Sequence, residues 1–189
     1  MNRILMFVAL VVVSLGGQLG AHPIDLTTTE NKVEFLAVGQ PSALKIRGKL
    51  DNGKSLGGKL EIVEGKLQGV AKVNMQSFDT GIDLRNKHMK EKYLETPKYP
   101  ESTVTLKPVV LPGDTSQATY EYAGPFEGTL KLHGVEKPIK GELKVSKNAE
   151  KWKGSFSFSF ELQDYGIDVP KYLGITVSKA VSVEAAFQQ

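Results

Sequence analysis

One segment, residues 77–94 (SFDTGIDLRNKHMKEKYL), holds the residue types most able to do chemistry. Its Asp79-Thr80-Gly81 tripeptide occurs in the catalytic loop of aspartic proteases, which need two aspartates that share a proton. The other Asp-Thr pair of the chain is followed by Ser116, so it does not supply a second tripeptide. In those proteases Ser or Ala follows the tripeptide, whereas this chain has Ile82. The sequence therefore argues against a protease.

Two further side chains in this segment could contact a ligand. Arg85 and His88 are three residues apart, which places them one turn apart on the same side of a helix. A guanidinium group matches phosphate geometry, so the pair could meet a phosphate or another polar head group. Alternatively, Asp79 could pair with Arg85 and pin a helix to the rest of the protein. We favour this structural interpretation.

A third chemistry depends on where the mature chain begins. If processing exposes His22, its amine and imidazole could bind copper in a brace, with His88 or His133 as the further ligand. Methionine and cysteine do not cluster near these positions, and the chain has no cysteine at all. A histidine in a frayed N-terminus is the simpler interpretation. We therefore keep copper binding, as a carrier or a redox protein, only as an alternative, and we expect no metal or other cofactor.

The start of the chain has the pattern of a signal peptide. Arg3 precedes an apolar run at residues 4–15, and small residues lead to Ala21. The run is too short to span a bilayer comfortably, so we predict a signal peptide at residues 1–21 and a mature domain at residues 22–189. The expected location is periplasmic or secreted. The formal charge of +3 is small, so we expect no nucleic-acid binding.

The mature part is dominated by alternation of apolar and polar residues, the pattern of strands with one buried face. We predict an all-β fold: a single antiparallel β-barrel of about eight strands, with one short helix inserted between strands. A tight hairpin is expected at Glu64-Gly65. The predicted strands are residues 32–38, 43–50, 59–63, 67–76, 103–111, 119–132, 137–146, 151–163 and 175–187.

The inserted helix is predicted from residue 83 to about residue 94. Thr80 and Asp83 have the spacing of a capping box, and Pro97 closes the segment. Three apolar residues at spacings of seven and four form a helical stripe that would pack against the barrel, namely Ile82, Met89 and Tyr93.

Several blocks in the right order resemble the YceI-like family. They are Ser77-Phe78-Asp79-Thr80-Gly81, Arg85-Asn86-x-His88-Met89, the stretch from Gly128 to Pro138 and Asp164-Tyr165-Gly166-Ile167. The resemblance covers roughly residues 31–187. Members of this family are exported lipocalin-like barrels that bind polyisoprenoids and related long-chain amphiphiles. One departure is Asn86, where the family usually has aspartate.

The resemblance bears on whether side chains fill the barrel interior or a ligand occupies it. Eight strands enclose a space that side chains can fill or that can hold one small ligand, and base rates alone favour filling. The resemblance instead implies a non-enzymatic carrier of a polyisoprenoid, an isoprenoid quinone or a fatty-acyl lipid. Separately, we expect transient membrane contact and a monomeric or homodimeric state, which the sequence does not distinguish. A packed structural or stress-response barrel remains the other alternative. Asp79, Arg85 and His88 are candidates for the head group or for structure, and the predicted cavity wall comprises Phe35, Leu44, Ile46, Ile62, Val73, Met89, Leu106, Phe126, Leu130, Leu132, Phe156, Phe158, Phe160, Leu162, Ile167 and Val183.

Overall fold

The computed structural model describes residues 21–27, 30–40, 44–50, 55–172 and 174–189. The predicted signal peptide lies outside these residues, apart from Ala21. Within these ranges, no helix has the length and apolar character needed to cross a membrane.

In the ranges that the structure describes, twelve antiparallel strands form one sheet. All nine predicted strands are present, and three short ones were missed because two to four residues are too few to show an alternating pattern. The missed strands are β1, β6 and β11. The bounds are β1 His22–Asp25, β2 Lys32–Gln40, β3 Leu44–Leu50, β4 Leu56–Val63, β5 Lys66–Asn74, β6 Phe78–Asp79, β7 Glu101–Val110, β8 Thr119–Leu132, β9 Val135–Asn148, β10 Lys151–Glu161, β11 Lys171–Tyr172 and β12 Ile175–Gln188.

The sheet curls into an open, lipocalin-like barrel. Its strands pair in the order β1-β4-β5-β7-β8-β9-β10-β12-β2-β3-β6, and β11 pairs with β12. Within the described chain, β3 and β4 share no ladder, so the barrel has a seam there. Ile46 of β3 and Leu60 of β4 nevertheless line one cavity, which shows how far the sheet curls. The predicted fold class is confirmed, with twelve strands in place of about eight.

The predicted hairpin at Glu64-Gly65 is confirmed. Val63 of β4 faces Lys66 of β5 across a two-residue turn. The backbone φ angles of Glu64 and Gly65 are 50° and 70°. A type I′ turn requires positive φ at both central residues, and its twist matches that of the flanking strands.

One end of the barrel is filled by aromatic side chains. The rings of Tyr120 on β8 and Trp152 on β10 lie 5.9 Å apart. The ammonium group of Lys147 lies 5.5 Å from the centre of the Trp152 ring and donates to the carbonyls of Thr115 and Ser116. Lys147 is only 5% exposed, so its cation is accommodated by these carbonyls and the ring. We call this the closed end.

Aliphatic side chains complete the packing of the closed end. Ile62 and Leu67 face each other across the hairpin between β4 and β5, and Leu67 also faces Val109 of β7. Leu67 and Leu143 have no exposed surface. This half of the interior therefore resembles an ordinary protein core.

A short helical segment crosses the other end. α1 comprises Asp83–His88 and continues as a π-helical turn over Met89–Tyr93, close to the predicted range. The predicted capping box is wrong: the N-cap residue is Ile82, and it makes no side-chain cap. Thr80 does not cap α1, because its hydroxyl bonds to Asn86 instead.

Candidate functional site

The half of the barrel opposite the closed end is hollow. Its cavity has a volume of about 570 Å³, within the roughly 300–1,000 Å³ of pockets that hold small ligands. Of the predicted wall residues, Ile62 does not line it, because it lies beside the hairpin at the closed end. All the others line it, namely Phe35, Leu44, Ile46, Val73, Met89, Leu106, Phe126, Leu130, Leu132, Phe156, Phe158, Phe160, Leu162, Ile167 and Val183.

Aromatic rings form much of the wall and lie edge to face. The Phe126 ring is 5.3 Å from the Phe156 ring and 6.2 Å from the Phe158 ring, with interplanar angles of 83° and 87°. Gly141 faces Phe126 on β8 and Phe158 on β10. A Cβ atom at Gly141 would lie 2.7 Å from the Phe126 ring and 2.8 Å from the Phe158 Cβ. The nearest atom to that Cβ would be the Ser157 carbonyl oxygen. Glycine therefore lets the β10 backbone and the Phe126 ring approach this point of the sheet closely.

The cavity opens to solvent beside α1. Leu44, Ile82 and Leu84 line the cavity, yet they are 43%, 52% and 54% exposed. Side chains that both line a cavity and face solvent mark its mouth. Ile82 and Leu84 were not among the predicted site residues. Ile82 had been assigned to the packed face of the helix, and this assignment is wrong.

The charged groups of the cavity lining all carry or can carry a positive charge. They are Arg85, Lys92, Lys171 and the titratable His88, and no carboxylate lines the cavity in the described part of the chain. Ser102 adds a hydroxyl, which donates to the carbonyl of Lys131. Thr80 and Tyr93 add two further hydroxyl groups, and the rest of the wall is apolar, so a ligand would bury its chain mostly against hydrocarbon.

Asn86 holds the segment that leads into α1. Its Oδ1 atom accepts hydrogen bonds from the backbone N–H of Thr80 at 2.8 Å and from the Thr80 hydroxyl at 2.6 Å. Its Nδ2 atom donates to Oδ1 of Asp79 at 2.6 Å. One amide side chain thus satisfies three groups of the strand-to-helix turn. This position was noticed only as a departure from the family pattern, because sequence does not show which groups surround it.

Arg85 strengthens the same turn. Its Nε atom donates to the Thr80 hydroxyl oxygen at 2.9 Å, and its terminal nitrogen donates to the Thr80 carbonyl. The predicted Asp79–Arg85 ion pair does not form, because Arg85 bonds to Thr80 instead and Asp79 bonds to Asn86 and Gly81. Arg85 still lines the cavity, whereas Asp79 does not. α1 is therefore tied to the barrel by the Arg85–Thr80 and Asn86–Asp79 hydrogen bonds rather than by an Asp79–Arg85 ion pair.

The carboxylate of Asp79 makes this turn sensitive to acid. A hydrogen bond from the Gly81 N–H lowers the pKa of Asp79, and the Asn86 amide and the charges of Lys90 and Arg85 lower it further. A depressed pKa in the folded state adds stability above the unfolded pKa, near 3.8, that is lost as the pH falls through the folded pKa.

We therefore expect Asp79→Asn to flatten the acid limb of the stability curve. An asparagine keeps an oxygen acceptor at this position but does not titrate. The difference in melting temperature between wild type and variant should shrink as the pH falls from about 6 to about 3. Thermal denaturation at several pH values tests this, and a constant difference across that range would contradict the assignment.

The three histidines do not form one site. His22 faces Ile62 in the ladder of β1 and β4, beside the closed end, whereas His88 lines the cavity. The two ring nitrogens of His133 lie 3.1 Å from the Tyr165 carbonyl and 2.7 Å from a Glu95 oxygen. In the described ranges, no group of three or more potential metal ligands comes together.

Comparison with known sequences gives three results. A family model described as YceI-like domain matches residues 25–189. Protein YceI from Escherichia coli O6:H1 (strain CFT073) is 34% identical over 84 residues, which cover 43% of this chain and 40% of that protein. Protein YceI from Shigella flexneri gives the same values. The match thus spans less than half the length of these curated relatives.

Solved structures share the fold at low identity. A polyisoprenoid binding domain from Saccharophagus degradans has a TM-score of 0.65 at 20% identity, covering 87% of this chain and 95% of that chain. BcnA from Burkholderia cenocepacia has a TM-score of 0.68 at 15% identity, covering 88% and 99%. At such identities the likeness shows the architecture alone.

Proposed function

The chain belongs to the YceI-like family, and we propose from this membership and from its hollow barrel that it is a lipid-binding protein. Its ligand is a long-chain amphiphile: a polyisoprenoid, an isoprenoid quinone or a fatty-acyl lipid. The family and the shared fold support binding rather than catalysis.

The observation that carries this proposal is the cavity. It is about 570 Å³ in volume and is lined almost entirely by hydrocarbon. Burying each methylene group contributes about 0.8 kcal/mol, so a long apolar chain binds tightly without a specific polar contact. The ligand is therefore selected mainly by its chain and only loosely by its head group.

The finer parts of the proposal concern export and transport. The signal-peptide pattern at residues 1–21 supports an exported protein that works in the periplasm or after secretion. A structural neighbour is a polyisoprenoid binding domain, which supports a ligand of that class here as well. In this role the barrel shields the chain of its ligand from water while it carries the ligand between sites.

The other functions considered receive less support. A copper site built on His22 would need further ligands, and His133 is already bonded through both ring nitrogens. A fully packed structural barrel does not account for the cavity.

A chain-length series tests the proposal. Delipidated protein is titrated with unbranched primary alcohols of increasing length, and binding is measured by calorimetry. We expect affinity to rise by about fourfold for each added methylene group until the cavity is full. An affinity that does not change with chain length would show that the cavity does not hold the chain.

A further inference from the structure

The cavity mouth combines exposed apolar groups with exposed cations. Leu44, Ile82, Leu84, Lys92 and Lys171 border it, and we refer to these five residues as the rim. In the described chain, neither lysine of the rim forms an ion pair with a carboxylate, whereas Lys107 and Lys140 on the outer wall both pair with Glu127. Within the described residues, therefore, no carboxylate neutralises the positive charge of the rim.

The apolar groups of the rim are concentrated at one place. Four large hydrophobic side chains are exposed in the described part of the protein, and three of them belong to the rim. The fourth, Val110, faces Lys66 beside the hairpin at the closed end. Scattered exposed hydrophobic residues are ordinary, but several that surround a cavity mouth mark a contact surface.

We propose that the rim docks on an anionic phospholipid surface, with Ile82 and Leu84 entering the interface and Lys92 and Lys171 meeting lipid phosphates. This inference rests on the proposed function, because docking would let a lipid pass from the membrane into the cavity without exposing its chain to water. Apolar side chains flanked by cations are the combination that anionic bilayers attract. No carboxylate lines the cavity in the described ranges, so the lining itself offers only positive charge to an anionic head group. The exposed carboxylates of Asp83, between Ile82 and Leu84, and of Glu91, beside Lys92, must then face away from the lipid phosphates.

Vesicle co-sedimentation tests the docking. Wild-type protein is mixed with vesicles of phosphatidylglycerol and phosphatidylethanolamine, and separately with phosphatidylcholine vesicles. We expect sedimentation with the first, weakening from about 50 mM to about 500 mM salt, because salt screens exposed charges. Removing one lysine near an anionic surface weakens binding by about fivefold. Lys92→Gln/Lys171→Gln, which removes two, should therefore weaken binding by about 25-fold.

Matched variants separate the rim from the rest of the surface. Ile82→Ser/Leu84→Ser should reduce sedimentation, and so should Leu84→Ser alone, while Val110→Ser and Lys66→Gln at the closed end should behave as wild type. Melting temperatures confirm that each variant is folded. Failure of wild-type protein to sediment with anionic vesicles, or equal sedimentation of rim and closed-end variants, would overturn the docking. If such a protein still shows the chain-length dependence, the docking fails while the proposed function stands.

Discussion

Filling the cavity from two sides should abolish ligand binding while the protein stays folded. Ala71 on β5 and Ala185 on β12 both line the cavity, and four strands separate them in the sheet order, so they approach it from different sides. In Ala71→Trp/Ala185→Phe the new rings would occupy space that the ligand chain needs. Excluding even two methylene groups of the ligand removes about 1.6 kcal/mol, which is about fifteenfold in affinity, and the two rings would exclude more than two.

The matched control places a similar ring outside the barrel. Ala123 is exposed on β8 and does not line the cavity. Ala123→Trp should therefore bind alcohols as wild type does. The measurements are calorimetric affinity and thermal stability of both variants. A double variant that is folded and binds as tightly as wild type would show that the ligand lies elsewhere.

Truncating a side chain in the packed core should cost more stability, relative to its size, than truncating a side chain in the cavity wall. Leu143 has no exposed surface and does not line the cavity, so Leu143→Ala leaves a new void and should cost about 2–5 kcal/mol. Phe158 lines a space that already exists, so its neighbours lose fewer contacts. We expect Phe158→Ala to cost less than the roughly 3–5 kcal/mol of a packed phenylalanine.

Chemical denaturation of both variants without ligand gives these free energies. In alcohol binding the order should be reversed. Phe158→Ala should change the affinity and Leu143→Ala should leave it unchanged, because only Phe158 contributes to the cavity wall. A full core penalty for Phe158→Ala together with unchanged alcohol affinity would mean that its ring belongs to an ordinary packed core, as in a structural barrel.

The long strands could be predicted from sequence because alternation reports which face of a strand is buried. All nine predicted ranges, several of which alternate clearly, form strands, and the Glu64-Gly65 turn has the positive φ angles of a tight hairpin turn. β1, β6 and β11 contain too few residues to show a period, and they are recruited by pairing with longer neighbours.

The hollow half of the barrel could not be predicted from the same pattern. Ile62 and Phe158 both point inward by alternation, yet Ile62 packs at the closed end and Phe158 lines the cavity. Whether an inward side chain is packed or lines the cavity depends on how far it lies from the end that Tyr120 and Trp152 fill. That distance is set by the register between strands that are far apart in the sequence. Alternation gives the direction of a side chain but not its position along the barrel axis.

The segment around α1 shows a second limit. The spacing of Thr80 and Asp83 fits a capping box, but the Thr80 hydroxyl bonds to Asn86 and Arg85 instead. Local motifs give one set of partners, and tertiary structure offers competing ones. The exposed rim was missed for a related reason, because an apolar stripe on a helix predicts packing and does not distinguish it from a cavity mouth.

The most direct test is native mass spectrometry of the protein purified from its own cells without detergent. We predict an added mass that organic extraction removes and that matches one long-chain lipid per protein molecule, and we predict that Ala71→Trp/Ala185→Phe purifies without it. Wild-type protein that carries no such mass, and that takes up no long-chain alcohol afterwards, would contradict the assignment of this barrel as a lipid-binding protein.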